Sequence, residues 1–181
     1  MVKIDLTMGH RFMQKELVKM GVITQKEMDE EIINVGYGQD GGKVDIEPDV
    51  IMDFRHLDIP DESCSLVLFD PPFWYNKWVK HHDYSGSVVD TNINHGQIVE
   101  CYGSFKDREE MTRSLYLAFR EIYRILIFGG VCIFKWSEGT SDLSKILSLI
   151  GLLKVDRKEI RASKGDKGSK TNITVHVWLK K

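Results

Sequence analysis

The chain has no apolar run approaching the ~20 residues of a membrane-spanning helix, no internal repeat and no low-complexity stretch. Its opening residues are not a charged segment followed by an apolar one, so nothing marks it for export and no membrane partner is expected. Cysteine is scarce. Cys64, Cys101 and Cys132 are odd in number and lack a C-x-x-C spacing, which argues against a disulfide framework and a zinc knuckle and suits a reducing, cytoplasmic compartment. An excess of charge is missing too: 25 Lys and Arg stand against 27 Asp and Glu, a formal net charge of -2. Any contact with a polyanion must therefore come from a local patch rather than from the field of the whole surface.

What is present suits one globular domain over residues 1–181, with 42% apolar and 29% charged residues. Val2, Ile4 and Leu6 alternate with Lys3 and Asp5, a short strand, and Thr7 to Gly9 make a turn. Phe12, Met13, Leu17, Val18 and Met20 then recur at helical spacing, with Gly21 as a stop. An acidic stretch over 23–31 precedes the apolar pair Ile32-Ile33, and Gly36, Gly38, Gly41 and Gly42 break the chain into a loop. Val50 to Met52 ends in Asp53, and Leu66 to Phe69 ends in Asp70, as buried parallel strands ending in acids would.

The strongest helical periodicity runs from Asp107 to Leu126, with Ser104 or Asp107 as its cap. Gly129-Gly130 is expected to stop that helix, Val131 to Trp136 to form a strand, Ser141 to Leu153 a helix, and Ile173 to Leu179 a final strand. Strands alternating with helices predict an α/β protein, Rossmann-like and doubly wound. The sheet should be mainly parallel, with helices on both faces and ligands beyond the carboxyl ends of the strands.

Two of the four prolines sit together in Leu68-Phe69-Asp70-Pro71-Pro72-Phe73-Trp74. They fix the backbone and remove two N–H donors, so the Asp70 carboxylate and the Pro71 carbonyl make a stiff acceptor corner. Such a corner suits a planar amino group: it takes the two N–H protons and turns the nitrogen lone pair toward an electrophile, while Phe73 stacks on the ring. A bare D-P-P triplet is most often a turn with a solvated acid; here it follows a buried strand in the middle of an alternating chain.

Asp70, Pro71, Pro72 and Phe73 resemble motif IV of the class I S-adenosylmethionine-dependent methyltransferases that modify exocyclic amino groups of nucleobases and some amides. The segments Pro48 to Arg55, Ile59 to Ser63 and Ile133 to Glu138, with Lys170-Thr171 before the last strand, are similar in order to small phage-type methyltransferases, DNA adenine-like in character. The resemblance implies that S-adenosyl-L-methionine is the cofactor, that Asp53 accepts from its adenine amino group and that Phe54 lines the adenine ring.

No G-x-G-x-G is present, and two segments compete for the cofactor turn. Asp5-Leu6-Thr7-Met8-Gly9-His10-Arg11 resembles the D-x-x-x-G-x-R form of the phage-type group; the other is Asn34 to Gly38. Spacing favours the first, because the interval from Gly38 to Asp70 leaves no room for the first crossover helix. Thr7, Met8 and Gly9 would then approach the methionine part of the cofactor, with Asp5 orienting the turn or the ammonium. Asp40 and Asp45 are candidates for a ribose contact.

Residues 74–106 lack periodicity and are read as a loop or lid on the substrate side, with Trp74 for stacking and Lys77 and Lys80 for phosphates. A connector whose aromatics pack underneath would look the same. Lys154, Arg157, Lys158, Arg161, Lys164, Lys167 and Lys170 outnumber the acids before the last strand, as a patch for a phosphate backbone or as a solvated loop. His81, His82, His95 and Cys101 have no diagnostic spacing, and no metal site is expected. Lys135 and Glu138 end a strand and could face the cleft; Trp136 is read as core.

The expected activity is methyl transfer to an exocyclic amino nitrogen, adenine N6 in DNA first, with nucleic acid as the partner. Cytosine N4, guanine N2 in RNA or a protein amide would present the same planar group, and a binding module that has lost catalysis is the reading from another class.

Overall fold

A computed structural model describes residues 1–6, 12–36, 48–71, 105–137, 152–161 and 172–181. Seven strands form one sheet: β1 (Val2–Asp5), β2 (Ile32–Gly36), β3 (Val50–Ile51), β4 (Cys64–Phe69), β5 (Leu126–Ser137), β6 (Leu152–Arg161) and β7 (Asn172–Lys180). Their order across the sheet is β3-β2-β1-β4-β5-β7-β6. β1 to β5 pair in parallel, and β7 runs antiparallel between β5 and β6. The order reverses between β1 and β4, the switch point at which open α/β sheets form a crevice beyond the strand ends.

Two helices cover opposite faces. Helix α1 (Phe12–Lys19) buries Met13 and Leu17 with Ile32, Leu68, Ile133 and Val175 of the sheet. It ends as its sequence requires: Gly21 takes φ +69°, its N–H bonds to Val18, and that of Val22 bonds to Leu17, the paired C-terminal closure for which glycine is favoured. A single π turn at Glu27–Glu31 follows, held to β1 by Lys3, which reaches Glu27 at 2.5 Å and Glu31 at 2.9 Å.

Helix α2 (Arg108–Ile125) buries Met111, Leu115, Ala118, Phe119 and Ile122 on the other face. Asp107 caps it, accepting from the Glu110 N–H at 2.8 Å, while Glu110 accepts from the Lys106 N–H at 2.6 Å. Phe119 meets Phe69 and Phe134 edge to face, with ring centroids 5.6 and 5.0 Å apart. Trp136 stacks on Phe134 and is core, as read from its strand.

Three expectations are corrected. The glycine pair does not stop α2; the chain turns extended at Leu126 and β5 already includes Gly129 and Gly130. Between Leu126 and Val131 the β5 backbone bulges away from β4, with Gly129 at φ +77°. A Cβ on Gly130 would lie 2.9 Å from the Ile127 carbonyl oxygen, so glycine serves close packing inside the strand. Leu152 and Leu153, expected to end a helix, begin β6. Lys154, Arg157, Lys158 and Arg161 lie on that same strand, not in a loop. Charge hides an edge strand from a periodicity reading while protecting it from pairing with other chains.

Candidate active site

The register of the strands gathers polar residues at one corner. Asn34 on β2 stands opposite Asp5 on β1, Asp5 opposite Leu68 on β4, and Leu68 opposite Ile133 on β5. Side chains two residues apart share a face, so Asp70 and Lys135, each two residues further on, rise on the α1 face beyond the apolar row of Leu68 and Ile133. That corner is the carboxyl end of the sheet, across the switch between β1 and β4.

Asp5 is buried with Gln14 and Asn34. The Gln14 side-chain amide on α1 donates to Asp5 Oδ2 at 2.7 Å and to Asn34 Oδ1 at 2.8 Å. Asn34 donates in turn to Asp49 Oδ2, from its backbone at 2.7 Å and its side chain at 3.0 Å. Since both acceptors face the Gln14 nitrogen, its orientation is determined. Among the described residues its Oε1 is buried without a hydrogen-bond partner, which is costly unless a donor reaches it. Gln14 escaped the sequence reading, and Asn34 entered it only as the first residue of the competing cofactor turn.

Asp70 is 5% exposed and Lys135 is 8% exposed, and Lys135 Nζ donates to Asp70 Oδ2. Burial pushes the Asp70 carboxyl up from its ordinary range, and the charge and hydrogen bond of Lys135 pull in the other direction. Pro71 is buried behind it. The sequence placed Lys135 at its strand end, facing the cleft, but gave no sign of its bond to Asp70.

Asp53 sits in a turn closed by the His56 N–H bonding to its carbonyl at 2.8 Å. Burial works against its charge, yet Arg55 outweighs it and holds the carboxyl below the usual range. The guanidinium meets both oxygens, Nε to Oδ1 at 2.9 Å and Nη2 to Oδ2 at 2.7 Å. Phe54 has no exposed surface and packs edge to face on Phe69. Its ring belongs to the core, so lining an adenine does not follow from its position.

Asp5, Asp53, Asp70 and Pro71 are thus located. Thr7, Met8, Gly9, Pro72, Phe73, Trp74, Lys77 and Lys80 lie outside the described residues, as do the 74–104 part of the expected loop, Gly38, Asp40, Asp45, Glu138 and the histidines at 81, 82 and 95. Among the described residues no group of three His, Cys, Asp or Glu side chains could hold a metal ion, and no helix is long and apolar enough to cross a membrane. Cys64 and Cys132 are buried, which pushes both thiols up.

No family model and no curated protein matches the chain in sequence. Solved structures do match in fold. A candidate DNA modification methylase from Thermus thermophilus aligns at TM-score 0.45 and 15% identity over 71% of this chain, which spans 50% of that protein's length. An S-adenosylmethionine-dependent methyltransferase from Methanosarcina mazei aligns at TM-score 0.50 and 10% identity over 98% of this chain and 91% of its own. The N-methyltransferase NodS from Bradyrhizobium japonicum WM9 aligns at TM-score 0.50 and 9% identity, over 98% and 84%. The chain therefore has the Rossmann-like fold that the last two methyltransferases share.

Proposed function

We propose that the protein transfers a methyl group from S-adenosyl-L-methionine to an exocyclic amino nitrogen of a nucleobase, adenine N6 in DNA. The observation that carries this reading is Asp70: a buried acid at the carboxyl end of β4, next to the switch point, running directly into Pro71 and Pro72.

The residues present fit the cofactor. Asp5 offers a carboxylate and Gln14 a buried oxygen that has no partner among the described residues, an acceptor set suited to a group rich in N–H donors. Asp53 at the β3 end would take the adenine side, and Thr7 to Gly9 the methionine side. When bound, the cofactor supplies an electrophilic methyl group, so the protein's task is alignment.

Asp70 and the Pro71 carbonyl accept hydrogen bonds from the two N–H groups of the amine and thereby aim its lone pair, and the methylated nitrogen then loses one of these protons; Phe73 stacks on the base. The buried corner excludes water, which strengthens these hydrogen bonds. A duplex substrate must first release the base from its stack at a cost of a few kcal/mol, offset by stacking on Phe73 and Trp74 and by phosphate contacts from Lys77 and Lys80.

Incubation with methyl-labelled cofactor and DNA, tRNA or protein tests the proposal. Label should enter DNA; label only in RNA, protein or small molecules removes the DNA assignment. Asp70→Ala should abolish transfer and spare cofactor binding, whereas Asp53→Ala should weaken the cofactor in calorimetry. Turnover retained in Asp70→Ala contradicts the role given to it.

A further inference from the structure

Asp70 and Lys135 meet because β4 and β5 are parallel neighbours with Phe69 opposite Phe134. Each follows a core aromatic, and both are almost wholly withdrawn from solvent. The core itself does not need a lysine there: Val175 stands beside Lys135 on β7, and Ile133 and Leu68 occupy the row beneath. Burying an ammonium is expensive, and an apolar pair of similar volume commonly serves a fold as well or better. The lysine therefore answers to something other than packing.

Chemistry at the corner supplies a reason. An amino group brings donors and needs acceptors, but a protonated carboxyl turns one of its oxygens into a donor. Burial drives Asp70 toward that unproductive form. A cation bonded to one carboxylate oxygen opposes the protonation and also restricts rotation of the group. We infer that Lys135 is a positioning residue that keeps Asp70 ionised and fixes the direction of its carboxylate at the transfer corner. This deepens the proposed function and rests on it.

Among the described residues, the elements around Asp70 add few other charges. Among the described residues, β1 contributes Asp5 to this end of the α1 face, β5 contributes Lys135, α1 contributes the neutral Gln14, and β7 the apolar Val175. Lys135 donates to Asp70 among the described residues, and its removal should leave a distinct signature.

The test uses the full chain with 13C-labelled aspartate, the Asp70 carboxyl carbon being assigned by its loss in Asp70→Asn. Its titration is followed by NMR in wild type, Lys135→Met and Lys135→Arg. Transfer from tritium-labelled S-adenosylmethionine to unmethylated duplex DNA is measured in parallel across pH. Lys135→Met should move the Asp70 titration and the acid limb of transfer upward together. It should also lower kcat at neutral pH by about 100-fold, the scale of a misplaced reacting group, with cofactor affinity unchanged in calorimetry. Lys135→Arg should return the titration toward wild type and recover part of kcat.

An Asp70 titration that does not move in Lys135→Met overturns the inference, as does a loss of kcat with an unshifted acid limb. Should Lys135→Met fail to fold, Lys135→Gln removes the charge while keeping a donor and gives the same readout. Wild-type protein that methylates no acceptor would overturn the functional proposal, and the titration would still decide whether Lys135 keeps Asp70 ionised.

Discussion

Cutting the Asp70–Lys135 pair from one side should cost much more stability than removing it from both. The two side chains are only 8% and 10% exposed, so surface screening does little to soften the loss. Lys135→Met leaves a carboxylate beyond the apolar row of Leu68 and Ile133, and breaking a buried pair in this way costs about 3–5 kcal/mol. The double variant Asp70→Leu/Lys135→Met removes both desolvation penalties and should fall within about 1 kcal/mol of wild type. Urea unfolding with a constant slope measures the difference.

The pH dependence sharpens this prediction. Burial raises the folded-state carboxyl above its unfolded range, so between the two values the native state binds more protons and stability declines as pH rises. Without Lys135 the folded value rises further, and the window extends upward. The penalty of Lys135→Met should therefore be small near about pH 4, where an unperturbed Asp is half protonated, and grow toward neutrality. Equal losses in the single and double variants, or a penalty flat across that range, would refute the account of Lys135 as a charge partner.

Gln14→Leu leaves Asp5 and Asn34 buried without their shared donor; it should cost about 2–3 kcal/mol in urea unfolding and weaken cofactor binding in calorimetry. Arg124→Met should cost about 2–3 kcal/mol in the same assay, from lost charge-assisted bonds to the Leu57 and Ile59 carbonyls at 2.8 and 2.7 Å. Its contact with the exposed Asp61 adds little. Glu27 is lowered from 4.5 to about 2 by its hydrogen bond to Lys3 and those from Thr24. Its contribution is therefore complete above 4.5 and disappears as pH falls through about 2. An acid titration monitored by circular dichroism should show Glu27→Gln losing less stability than wild type across that interval.

Local pattern was enough for some elements and not for others. β1, β4, α2 and β7 announced themselves through alternation or through three- and four-residue steps, because each buries one face or both. β6 did not: Lys154, Asp156, Arg157, Lys158 and Glu159 break any alternation in a strand at the sheet edge. The reversed direction of β7 is a property of pairing, and the pattern within one strand reads the same in either direction. The aspartates of the corner could be found because acids at the ends of apolar runs stand out. Their partners were harder. Gln14 lies among Met13 and Leu17 on the buried side of α1 and passed as an interruption of a core pattern, Asn34 was read only as the start of a competing cofactor turn, and Lys135 was placed at the cleft without its partner.

Those residues divide the labour of the corner. Gln14 is neutral and ties Asp5 to Asn34 through one amide nitrogen. Lys135 is cationic and offsets the charge of Asp70 while holding it. A carboxylate already bonded to a lysine suits a neutral hydrogen-bonding ligand, since an ammonium would compete with Lys135 for the same oxygens. The register that sets Asp5 opposite Leu68, two residues before Asp70, puts the two environments side by side across the switch point. In the proposed reaction a sulfonium must lie next to an uncharged amine. Methylation of an aliphatic ammonium at this corner would require that substrate to lose its proton first and to displace Lys135, so a preference for such a substrate would contradict the role of Lys135 beside Asp70.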